Sequence, residues 1–177
     1  MKKMSRARFV SVGSMLTAIA VIFQSAPVFL PVVGFAFSPL STLPIALAAF
    51  LNISLGIVVY VATAFILTFI YIQEAIILIF TTGLLGLTIG IFLYRKGLFA
   101  SIFFSSILLS LGMLMLTYFV GIAVFGTMTP LARIPLTLLI FYFFSLIYAS
   151  IWSIYLKKII NNLIRIKAFG NILSKVS

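Results

Sequence analysis

Residues 41–71 read STLPIALAAFLNISLGIVVYVATAFILTFIY, a run without a single charged side chain. As one α-helix it would be about 46 Å long at 1.5 Å per residue, half as long again as the roughly 30 Å hydrocarbon core of a bilayer. Asn52, Ser54 and Gly56 lie inside it, and all three are turn formers. The stretch therefore reads as two membrane helices, a short one at about 41–51 and a second at about 55–72.

The charges on either side favour the same division. Twelve Lys and Arg stand against one acid, Glu74. Lys2, Lys3, Arg6 and Arg8 open the chain, Arg95 and Lys96 sit together in the middle, and Lys157, Lys158, Arg165, Lys167 and Lys175 crowd the end. Two helices between 41 and 72 place all three clusters on one side of the membrane, whereas one helix separates them. Cytoplasmic loops carry the excess of Lys and Arg, so the two-helix division is preferred. The expected fold is all-α and polytopic, a single domain of six spans at about 9–26, 41–51, 55–72, 74–94, 98–124 and 134–156. Both ends are expected in the cytoplasm. The basic tail 157–177 either extends the last helix or lies on the inner membrane surface, where it would meet anionic lipids.

Composition supports a membrane setting. The chain is 64% hydrophobic and 7% charged, against about 25% charged in an ordinary soluble domain. A net charge of +11 gathered at span ends is the layout of membrane anchors, so nucleic acid is not an expected partner. Basic residues before an apolar stretch resemble a signal peptide, but Pro27 follows Ser25-Ala26, so a retained first helix is expected. The chain contains no Cys and no His, and it has no phosphate-binding loop, zinc motif or nucleophile elbow. No catalytic residue, metal or cofactor is expected, and transport driven by ATP would need partner subunits.

Four features are candidates for function. Gly13, Ser14, Thr17 and Ala18 form small-xxx-small pairs on the first helix, suited either to docking a partner helix or to packing within the chain. The segment FAFSPLSTLPIALAA (35–49) carries Ser38 and Ser41 at the entry to a short helix, either as the wall of a ligand site or as a simple outer loop over 27–40. Glu74 and Arg133 are the charges on the expected outer side, with Gln73 beside the former; they either bind opposite ends of a polar ligand or bridge each other. The aromatics Tyr60, Tyr71, Tyr118, Tyr142, Tyr148 and Trp152 either line a pocket or belt the interfaces.

The stretches FVSVGSMLTAIAVIF (9–23) and SPLSTLPIALAAFLNISLGIVVYVATAFI (38–66), with a Pro-containing loop between them, resemble the substrate-binding S components of energy-coupling factor (ECF) transporters, or a related small bacterial membrane family. The resemblance covers about residues 8–70 in pattern and the remainder in topology. It implies capture of a vitamin or other micronutrient at a bacterial plasma membrane. It also implies docking to a transmembrane coupling subunit worked by two ATPases. That family docks through an Ala-xxx-Ala motif on its first helix, and Ser14-Met-Leu-Thr-Ala18 occupies the place with Ser for the first Ala. Recognisable motifs for biotin, riboflavin or thiamine are absent. The alternative expectation is a non-transporting scaffold or regulator that binds partner helices.

Overall fold

Asn52 ends one helix and begins the next. Its backbone is extended (φ −160°, ψ 130°), and its side chain accepts a 2.9 Å hydrogen bond from the Ser54 N–H. A side-chain oxygen at this position satisfies one of the donors a helix start leaves open, a cap that contributes about 1 kcal/mol. The expected break thus falls at a single capped residue.

The computed structural model describes residues 5–30, 32–121 and 134–165. In chain order the helices are α1 (Arg6–Phe29), α2 (Gly34–Phe37), a 3-10 turn (Ser38–Ser41), α3 (Thr42–Leu51), α4 (Ile53–Ile70), α5 (Ile72–Phe80), α6 (Thr82–Lys96), α7 (Leu98–Tyr118) and α8 (Ile134–Arg165). They compose six helical stretches long and apolar enough to cross a membrane, and no strand occurs among the described residues. The chain is an all-α, multi-pass membrane protein.

Side-chain placement follows from an apolar solvent. Phe65, Phe69, Phe99 and Ile147 face outward, while Thr63, Ser101, Ser105, Ser145 and Ser153 are fully enclosed. Lipid tails are as apolar as Leu, so spans associate through close packing and internal hydrogen bonds. The central helix α3 joins two apolar clusters. One unites Leu16, Ile45, Leu55 and Leu78 from α1, α3, α4 and α5; the other unites Ala46, Leu85, Leu109 and Phe141 from α3, α6, α7 and α8. Small residues allow the backbones to meet. A Cβ added at Gly86 would lie 2.6 Å from the Thr42 carbonyl oxygen, and one at Gly90 would lie 2.6 Å from the Ala49 Cβ and against the Ala46 carbonyl. On the other side of the bundle, the Ser101 and Ser153 hydroxyls approach to 3.3 Å between α7 and α8.

Three expectations about local structure are corrected. The segment 27–40 is not an open loop: α1 runs through Pro27 to Phe29, and helix resumes at Gly34. Pro27 sits in the last turn, where it leaves the Phe23 carbonyl without its usual N–H donor, and the Leu30 N–H closes the helix on the Ala26 carbonyl at 2.8 Å. Gly34 then lies against the Ala26 carbonyl and Pro27 Cα, where no Cβ fits. The fourth span is not one helix but two, broken at Thr81 (φ −125°, ψ −89°). A break inside a membrane must have its freed carbonyls satisfied. Tyr60 donates to the Ile79 carbonyl at 2.8 Å, while the Ile77 carbonyl keeps the Thr81 N–H at 2.9 Å and also accepts the Thr81 hydroxyl at 2.6 Å. Finally, α7 ends at Tyr118, short of the expected 124, and α8 runs on to Arg165, so the start of the basic tail extends the last helix.

Candidate functional site

The polar centre of the molecule is built around Gln24, a residue the sequence reading passed over. Gln24 lies in the last two turns of α1 and is completely buried. Its amide nitrogen donates to Glu74 Oε2 at 2.8 Å. Its carbonyl oxygen accepts from the Ser41 hydroxyl at 2.7 Å and from the Thr82 hydroxyl at 2.9 Å. Four elements therefore converge on one side-chain amide: α1, the 3-10 turn, α5 and α6. The orientation of the amide follows from these partners, since its carbonyl takes the two hydroxyl donors and its NH₂ faces the carboxyl group.

Local structure explains how the partners meet. Glu74 and Thr82 are eight residues apart, a rise of about 12 Å along an unbroken helix. The break at Thr81 and the reach of the Glu74 side chain let both contact the same amide. Glu74 sits in the first turn of α5, where the helix dipole favours a negative group. Ser41 is brought in because 34–41 is wound as helix rather than left as a loop. The next residue, Thr42, keeps a buried hydroxyl with no hydrogen-bond partner.

The structure sorts the expected site residues. Glu74 and Ser41 belong to the network. Glu74, expected as an outer-side charge at the start of the fourth span, is 6% exposed and enclosed by the bundle. Gln73 points away, is exposed and accepts from the Tyr71 hydroxyl at 3.1 Å. Ser38 is buried in the 3-10 turn but makes no hydrogen bond to the network. Arg133 lies outside the described residues. Tyr60 serves the backbone at the helix break, and Tyr148 stacks on Phe144 and meets Trp152 edge-on.

The first-helix stripe splits in two. Gly13 and Thr17 are buried, with the Leu55 side chain 3.2 Å from where a Gly13 Cβ would stand. Ser14 and Ala18 are exposed, and the Ser14 hydroxyl turns back to the Ser11 carbonyl at 3.1 Å. One pair packs within the chain and the other faces outward. The fold and its polar centre together define a six-span membrane protein with an enclosed carboxyl–amide–hydroxyl network. No family model, curated protein or solved structure matches the chain.

Proposed function

We propose that this protein captures a small polar molecule within the membrane as the substrate-binding subunit of an ECF-type importer. The observation that carries the reading is the network on Gln24, Glu74, Ser41 and Thr82, where a discontinuous span meets the end of α1. Ionisable and polar side chains inside a membrane bundle are costly and mark ligand sites more often than packing requires. Broken helices at such sites free polar groups for a ligand. The resemblance over residues 8–70 supplies the importer class, with a coupling subunit and ATPases as partners and the bacterial plasma membrane as location.

Capture is tested by denaturing protein purified from its native host and measuring released small molecules by mass spectrometry. A stoichiometric compound is expected, and its loss from Gln24→Leu protein that is still folded would link it to the network. A protein that binds no compound yet retains helix partners would favour the scaffold reading.

The outward pair Ser14 and Ala18 is proposed to dock the coupling subunit, while Gly13 and Thr17 hold the fold. Leucine at both 14 and 18 is expected to leave thermal stability in detergent nearly unchanged and to abolish copurification with the coupling subunit. Leucine at 13 or 17 is expected to lower stability instead. Normal complex recovery from the 14/18 double variant would overturn the docking role.

Both ends are proposed to be cytoplasmic, because the three basic clusters share a side only across six spans. A chain without Cys allows single cysteines to report this. Because Ser38 is buried, the outer reporter is better placed at Val32, which is 81% exposed and lies between two spans. An impermeant thiol reagent is expected to label position 32 from outside, and positions 96 and 174 only after permeabilisation. External labelling at 96 would overturn the orientation.

A further inference from the structure

We propose that the network receives a positively charged nitrogen group, such as an ammonium or amidinium, with Glu74 as its counter-ion. This rests on the capture reading above and names the chemical class of what is captured.

The first argument is one of unmatched acceptors. Glu74 is the only acidic residue in the chain. Its Oε2 takes the Gln24 amide, and Oε1 takes no hydrogen bond among the described residues. Oε1 is also not one of the side-chain atoms sealed from the surface without a partner, which are on Thr42, Ser105 and Thr117. It keeps some accessible surface, on a residue that is 6% exposed. A carboxylate offers about four acceptor positions, and the network fills one.

The second argument concerns selectivity. The Gln24 carbonyl already holds two hydroxyl donors, so it turns its NH₂, not its oxygen, toward the carboxyl group. Glu74 is thereby clamped on one side by a neutral donor, with its second oxygen left for an incoming donor. Removing a carboxylate from water costs several kcal/mol, and a cation with N–H groups offsets that cost by charge and by hydrogen bonding. A neutral ligand offsets only part of it, and an anion adds repulsion. Gln24 is in these terms a positioning residue, and Glu74 is the group that touches the ligand.

The test uses the full chain in detergent with matched probes: benzamidinium, its neutral counterpart benzamide, and benzoate. Thermal unfolding is followed at millimolar probe. Benzamidinium is expected to raise the midpoint, with benzamide and benzoate giving little or no shift. Glu74→Gln, which keeps the shape and a hydrogen bond to Gln24, is expected to bind benzamidinium roughly a hundredfold more weakly. If that variant fails to fold, Glu74→Asp keeps the charge one methylene further back and is expected to weaken the response without abolishing it. Equal shifts from all three probes, an unchanged response in Glu74→Gln, or no response to benzamidinium would overturn the inference. The compound released from native protein separates this failure from that of the capture reading. A bound compound without a basic nitrogen removes the cation class and leaves capture standing, whereas no bound compound removes both.

Discussion

Gln24→Leu is expected to lower stability by about 3 kcal/mol or more, because it orphans a buried carboxyl group and two buried hydroxyls at about 1–3 kcal/mol each. The leucine fills a similar space but leaves Glu74 without the amide N–H and Ser41 and Thr82 without the amide oxygen that they bond. Made hydrogen bonds between membrane helices are modest, averaging about 0.6 kcal/mol. Orphaned buried donors and acceptors are dearer, at about 1–3 kcal/mol each and more for a charge. The cost of the substitution therefore lies in what it strands, not in what it removes. The distinction is measurable by a double-mutant cycle in which unfolding in detergent is followed for Gln24→Leu, Glu74→Leu and both together. If the network is one unit, the double variant is more stable than the sum of the singles by about 1–3 kcal/mol. Additive losses would mean that Gln24 and Glu74 act independently, and the site would lose its centre.

Gly90→Leu is expected to be as damaging for a different reason. At this position α6 lies on α3 with no side chain between them, and an added Cβ would stand 2.6 Å from the Ala49 Cβ, 3.0 Å from the Phe50 nitrogen and against the Ala46 carbonyl. Two of those neighbours are backbone, which cannot rotate out of the way. Overpacking usually costs about 1–3 kcal/mol, and a rigid neighbour places the cost at or above the top of that range. Parting α3 from α6 would also loosen the seat of Thr82, one residue past the helix break. Little or no folded, monodisperse protein is expected on size-exclusion chromatography in detergent. Ala18→Leu adds the same kind of bulk on an exposed face and serves as the control, with near-normal recovery. Equal recovery of the two variants would show that the α3–α6 crossing tolerates separation.

Gly86 and Gly90 also show where sequence reading had an unused signal. Their four-residue spacing in an apolar run is the signature of close helix crossing. Gln24 carried a fainter signal of the same kind: a long polar side chain in an otherwise apolar span has to find a partner inside the protein. That it finds Glu74, rather than a lipid headgroup or another chain, is not written near it.

Membrane residence, the number of spans and the break at Asn52 were legible in the sequence because each is a local property. Partition into a bilayer sums over about 20 consecutive residues, and a capped turn needs only Asn52 and Ser54. Glu74 was conspicuous for a similar reason, as the lone acid. The arrangement of the polar centre belongs to the tertiary structure. Its bonds join residues 17, 50 and 58 positions apart, so no window of sequence contains them. Tertiary packing likewise turned Gly13 and Thr17 inward and Ser14 and Ala18 outward, wound 34–41 into helix and split the fourth span at Thr81. In an apolar solvent every polar group must be satisfied by the protein itself, and which partner satisfies it depends on how all the spans pack at once.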